Sequence, residues 1–286
     1  MELLQASRKK AKIKLGLQGP SGSGKTKSAL YIAYGICGAW DKIAVIDSEN
    51  RSADLFADLG KYFVLHFPPP FSPERYVEAI GVCLNAGMEV IIIDSMTHEW
   101  EFILEKHGSM LGNSFTNWST LTPRHNSFIQ AILQADIHII GTMRAKQEYV
   151  LTDKNGKLVP EKLGLKGIQK DGIDYEFTLV FDLDISLHAK VSKDRTQLFF
   201  GKPLFIPTIE TGKQIIEWCL LGEEGVITLE DVIRKIQGAT TTAELSSIYY
   251  AHPVYQNVLN KHFTQRKQQL LNQNNNHSNG ITTSQQ

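Results

Sequence analysis

A stretch near the N-terminus, LGLQGPSGSGKTKSAL from Leu15 to Leu30, carries the residue types needed to hold a phosphate. The spacing Gly19-x-x-x-x-Gly24-Lys25-Thr26 matches a phosphate-binding loop. In such a loop Gly19, Gly22 and Gly24 let successive backbone N–H groups face an anion, with Pro20, Ser21 and Ser23 between them. The helix expected to start near Lys25 adds the positive end of its dipole. Lys25 would reach the β- and γ-phosphates of ATP, and the Thr26 hydroxyl would ligate Mg²⁺. Such a site needs an acid at the carboxyl end of a neighbouring strand. VIIIDS supplies Asp94, placed to hold the Mg²⁺ shell through water. Ser95 follows it, where many P-loop ATPases carry a Glu that orients the attacking water. Hydrolysis therefore needs a carboxylate from elsewhere, and spacing leaves two candidates open. Glu49 ends the strand in KIAVIDSEN, and Glu99 lies a turn beyond Asp94 in DSMTHEW.

These groups require a sheet whose carboxyl ends meet. The runs IKLGLQ, KIAVID, KYFVLHF, EVIIIDS, IHIIGT, EFTLVFDLD, SLHAKVSK and LFF read as strands. Continuous apolar runs such as VIIID suit a sheet buried on both faces. Helices are expected over Lys25–Cys37, Pro73–Ala86 and Arg124–Ala135, with Ser72-Pro73 and Thr122-Pro123 as caps and first helical positions. The alternation predicts an α/β fold with a doubly wound, mainly parallel sheet over residues 13–221. A basic segment, 1–12, precedes it. Residues 222–272 read as a small helical region, and the polar tail 273–286 as disordered.

At 286 residues and 42% hydrophobic, the chain can bury one good-sized core and a small appendage. Lys and Arg total 30, as do Asp and Glu, so any nucleic-acid contact must come from a local patch. Cys37, Cys83 and Cys219 are far apart, with no CxxC pair, which argues against a zinc site and for a reduced compartment. The first residues lack the apolar core of a signal peptide, and no apolar run approaches membrane-spanning length. A cytoplasmic protein without membrane contact is expected.

KIAVIDSEN…ADLFADLG and FPPPFSPERYVEAI…GMEVIIIDS follow the order of a RecA-like P-loop NTPase: strand, Asp-x-Glu, short helix, Pro-containing loop, helix, then a strand ending in Asp-Ser. The chain resembles phage and prophage RecA-like ATPases linked to single-strand-annealing recombination, on IDSMTHEW, TPRHNSF and SKDRT, over roughly residues 13–200. The resemblance places Glu49 in the water-activating role. It puts Thr142 where RecA has a γ-phosphate-sensing Gln, with Arg144 close enough to share the sensing. Lys193 and Arg195 match a pair that reaches a neighbouring subunit's γ-phosphate, implying a homo-oligomer. Only about a dozen residues precede the first strand, so filament formation of the RecA kind is not expected.

RAKQEYVLTDKNGKLVPEKLGLKGIQK occupies the position of the second DNA-binding loop in that family. Arg144, Lys146, Lys154, Lys157, Lys166 and Lys170 could neutralise a backbone, and Tyr149 could stack on a base. DKNGK is equally a turn signal for a solvated β-hairpin. Arg8, Lys9, Lys10, Lys12 and Lys14 could extend the patch. The leading expectation is a DNA-stimulated ATPase acting on or with single-stranded DNA. A P-loop kinase of a small molecule or nucleotide is one alternative. Another is an ATP-gated module whose C-terminal helices dock a single-strand-binding protein or annealase. The face of Leu229, Val232, Ile233 and Ile236 is expected to dock onto the ATPase core.

Overall fold

The computed structural model describes residues 10–154, 157–221, 229–251 and 256–278; of residues 147–164, 230–231 and 272–278 only the backbone is described. The chain divides into two compact units, Met1–Glu223 and Glu224–Gln286.

The first unit is built on β1 (Lys14–Gly19), β2 (Ile43–Asp47), β3 (Phe63–His66), β4 (Val90–Asp94), β5 (His138–Lys154), β6 (Lys157–Gly167), β7 (Leu179–Leu183) and β8 (Ala189–Asp194). They form one sheet in the order β3-β2-β4-β5-β1-β7-β8, with β6 paired to β5 off that path. The pairings β2–β3, β2–β4, β4–β5, β1–β5 and β1–β7 are parallel; β7–β8 and β5–β6 are antiparallel. Helices α1 (Lys25–Cys37), α2 (Pro73–Asn85), α3 (Thr97–Ser109), α4 (Ser114–Gln134) and α5 (Ile209–Leu220) complete the unit.

The apolar strands are explained by alternation. Successive β4 side chains point to opposite faces, and both faces are covered. Val90 and Ile92 pack in one cluster with Ile32 of α1 and Ile215 of α5. Ile91 and Ile93 pack in another with Tyr76 of α2 and Phe128 of α4. The expected mainly parallel α/β sheet is the one observed, and it is the fold of a P-loop NTPase.

Three local expectations give way. Helix α4 starts nine residues before Pro123 and runs through it. Asn113 caps it, its side chain accepting the Phe115 N–H at 2.8 Å. Proline usually ends a helix by removing one hydrogen bond, but the stripe Asn117, Leu121, His125, Phe128 and Ile132 is buried continuously across it. LFF is not a strand. The Asp194 carboxylate collects the N–H groups of Thr196, Gln197, Phe199 and Phe200 at 2.7–3.0 Å, curling the chain after β8. Lys14 does not join a basic patch: it is buried and donates to the carbonyls of Ala135 and Ile137, both at 2.7 Å, closing the end of α4. Burial lowers its ammonium to about 8. Arg8 and Lys9 lie outside the described residues.

The second unit contains α6 (Leu229–Gly238), α7 (Thr242–Ala251) and α8 (Gln256–Ser278). Val232 and Ile236 are buried with Leu245 of α7 and Leu259 and Leu270 of α8, with Leu229 and Ile233 packed against them. The amphipathic face of α6 is packed within its own unit. Helix α8 reaches Ser278, six residues into the stretch expected to be disordered. Among the described residues, no helix is long and apolar enough to cross a membrane.

Candidate active site

Sheet register brings the site residues to one edge. Asp47 of β2 lies opposite Asp94 of β4, while Leu17 and Gly19 of β1 pair with Thr142 and Arg144 of β5. Beyond β1 the chain turns through Gly22 and Gly24, at φ 80° and 77°, and enters α1 at Lys25. A β-carbon at Gly19 would lie 2.5 Å from Ser23 Oγ and 2.6 Å from the Leu183 carbonyl, so this position admits only hydrogen. Lys25 Nζ folds back on the loop, donating to the carbonyls of Gly19 at 3.0 Å and Pro20 at 2.9 Å. Burial lowers its pKa. A phosphate oxygen is the stronger acceptor for that ammonium, so binding needs only an exchange of partners.

Thr26 Oγ1 donates to Asp94 Oδ2 at 2.6 Å, and the Thr142 hydroxyl donates to the other oxygen of the same carboxylate. Thr142 is therefore engaged by the acid. Burial pushes the Asp94 carboxyl above its ordinary value, and the Thr142 and Thr26 hydroxyls offset this only in part. A hard divalent cation takes such oxygen donors and would offset the burial of charge. Among the described residues, the buried side-chain polar atoms lacking a partner are the hydroxyls of Ser23, Ser52 and Ser95. Ser23 is in the loop, Ser52 lines the cleft and Ser95 follows Asp94. Within the cleft, a phosphate oxygen or metal-bound water would give the Ser52 hydroxyl a partner. The cleft, about 700 Å³, is lined by Lys25, Thr26, Glu49, Asp94 and Arg144, and that volume suits a nucleotide.

Glu49 leaves β2 in a loop organised by Asp47, whose carboxylate accepts the N–H groups of Glu49 at 2.7 Å and Ala53 at 2.9 Å. Arg144 grips both Glu49 oxygens: Nε donates to Oε1 at 2.9 Å and Nη2 to Oε2 at 2.6 Å. His98 Nε2 lies 3.8 Å from Oε1. Burial raises the Glu49 carboxyl, but Arg144, His98 and the nearby Ser95 hydroxyl outweigh it and leave it below its ordinary value. Glu99 is elsewhere. It is fully buried, with His125 Nδ1 3.1 Å from both its oxygens and Gln169 Nε2 at 3.5 Å. Of the two candidates, only Glu49 faces the phosphate loop.

The Arg144–Glu49 pair sets a pH dependence. A depressed carboxyl stays ionised into more acidic solution, so the Arg144→Met variant should show the acidic limb of its kcat/KM profile, which reports the nucleotide-free enzyme, moved to higher pH. An unmoved limb in rate-versus-pH measurements would contradict this account of the pair.

A family model described as an AAA domain matches residues 11–205. The chain belongs to the AAA domain family. No curated protein matches it. The AAA domain is of the nucleotide-binding ATPase type, and the phosphate loop, Asp94, Glu49 and Arg144 all lie inside the matched span.

Other expected residues of the AAA domain lie apart from the cleft. On β8 and just after it, Lys193 Nζ donates to the Asp174 carbonyl at 2.6 Å and Arg195 Nη2 to the Tyr175 carbonyl at 3.0 Å. Neither lines the cleft of its own chain. The segment expected as a DNA loop or a hairpin pairs as a hairpin, from Ala145↔Gly167 to Lys154↔Lys157. Arg144 lies at its root but is committed to Glu49. Lys146 is exposed, Lys166 pairs with Asp171 at 2.9 Å, and Lys170 Nζ donates to Asn126 Oδ1 at 3.4 Å. The side chains of Tyr149, Lys154 and Lys157 lie outside the described residues. Trp100 and Trp118 stack on each other at 5.8 Å, packing α3 against α4. Sequence reasoning gave no role to Asp47, Ser48 or His98. Asp47 was visible as the first acid of Asp-x-Glu, and His98 as a residue of the IDSMTHEW segment, which assigned it no role.

Proposed function

We propose that this AAA domain is a RecA-like ATPase of the phage type, which hydrolyses ATP with Mg²⁺ as an oligomer and acts on or with single-stranded DNA in recombination or annealing. The observation that carries the hydrolytic reading is Glu49, a cleft-lining carboxylate beside Lys25, Thr26 and Asp94. Lys25 would hold the terminal phosphates in place of the loop carbonyls, while Thr26 and Asp94 would hold the metal. A bound Mg²⁺ supplies neutralising charge on the phosphates. Glu49 accepts the proton of the attacking water, and Arg144, drawn off the carboxylate by the more highly charged phosphate, steadies the charge that develops there.

Oligomer formation is supported by Lys193 and Arg195, cations outside their own cleft that a second copy could present to its neighbour's phosphates. Single-stranded DNA is supported by the cationic hairpin, carried on the strand that bears Arg144. The separate helical unit is the place for a single-strand-binding protein or annealase. The test is ATPase rate per chain against protein concentration, with and without single-stranded DNA at low salt. The expected result is a rate rising steeply with concentration and further with DNA. A rate indifferent to both overturns the oligomeric, DNA-linked part of this reading.

A further inference from the structure

A glutamate that activates water needs a fixed carboxylate, and Glu49 stands on a loop rather than on a strand. In this structure Arg144 provides that restraint by covering both oxygens. The restraint is lost once phosphate competes for the guanidinium, because a multiply charged phosphate is the stronger partner. Something else must then keep Glu49 in place.

His98, on the first turn of α3, is built for it. Its Nδ1 is 2.8 Å from Ser48 Oγ, and Ser48 Oγ also accepts the Ser95 N–H at 2.9 Å. The Phe71 ring stacks on the imidazole at 4.8 Å and 20°, and the side chain is only 11% exposed. The ring is thus fixed by Ser48 and Phe71, with Ser95 bracing Ser48, and its other nitrogen faces Glu49 Oε1 at 3.8 Å. That separation lies outside direct hydrogen-bond reach and within range of charge attraction or a bridging water.

We propose that His98 is a positioning residue for Glu49, tying its carboxylate to the Ser48–Ser95 backbone so that it stays aimed at the cleft when Arg144 moves to the phosphate. This rests on Glu49 being the residue that activates water. The test uses the full chain with His98→Phe and His98→Gln, each made in the wild type and in the Glu49→Gln background. Steady-state ATPase, affinity for a fluorescent ATP analogue and thermal melting are measured on each. His98→Phe keeps the stack on Phe71 and loses both nitrogens, so kcat should fall roughly tenfold, the usual scale for a partner acting through another group. Nucleotide affinity should stay within about twofold, and His98→Gln should recover part of kcat. In the Glu49→Gln background, His98→Phe should change kcat by less than about twofold, because residues acting as one unit are non-additive. The same drop in both backgrounds, or weaker nucleotide binding with kcat unchanged, overturns the proposal. If Glu49→Gln slows turnover and His98→Phe does not, only the His98 assignment falls. If Glu49→Gln leaves turnover intact, the reading of Glu49 falls and the proposal with it.

Discussion

Replacing Glu49 with Gln should lower ATP turnover by about 10²–10³-fold, the lower part of the range a positioned general base contributes, while leaving ATP binding nearly unchanged. In barrier terms that is about 3–4 kcal/mol. Gln has the size of Glu and its carbonyl can still accept one hydrogen bond from Arg144, but it cannot take a proton from water. The phosphate loop, with Lys25, Thr26 and Asp94, is untouched by the change. A split between lost kcat and retained affinity therefore separates a base from a binding residue. Equal loss of affinity and rate in titrations of the variant would instead mark Glu49 as part of the binding surface. Turnover as fast as wild type would leave the cleft a nucleotide-binding module without a base.

The second large effect concerns stability and lies on the other side of α1. Helices α1 and α5 approach so closely that backbones touch. A β-carbon on Gly212 would lie 2.2 Å from the Ile32 carbonyl, and one on Gly35 would lie 2.1 Å from the Ile209 carbonyl. Neither neighbour is a flexible side-chain end, so Gly212→Ala must push the helices apart. The expected cost is about 3 kcal/mol, the upper part of the overpacking range, or roughly 6–12 °C in Tm. Gly81, inside α2, meets nothing within 4 Å, and Gly81→Ala should gain up to about 1 kcal/mol from helix propensity alone. Opposite signs in thermal melts of the two variants are the expected result. A neutral Gly212→Ala would mean that the helices can separate without loss.

What was legible before the structure was mostly local. The phosphate loop, the β4 strand with Asp94 and the span of α1 each lie within a few turns of chain, where glycine spacing and apolar runs carry the information. The Arg144–Glu49 pair joins residues 95 positions apart. It forms only because the strand order sets β4 between β2 and β5, and no spacing rule reports strand order. Glu99 shows the converse: one turn past Asp94 it looks as close to the phosphates as Glu49, yet helix rotation turns it into a buried pair with His125. Pro123 and Lys14 misled for a related reason. Their neighbours in space, the buried α4 stripe for one and the Ala135 and Ile137 carbonyls for the other, outweighed the preference of the residue type.

Strand β5 runs from His138 to Lys154: it lies against β4 as far as Gly141, against β1 as far as Arg144, and against β6 from Ala145 onward. Ten residues separate Arg144 from Lys154, about 33 Å of extended chain at ~3.3 Å per residue. That is a lever with its fulcrum in the sheet and its short arm at the Arg144–Glu49 pair. The far end of the hairpin is joined to the guanidinium by continuous covalent backbone, with one register shift, between Glu148 and Tyr149. Tension applied out there and chemistry performed in the cleft are, mechanically, two ends of one part.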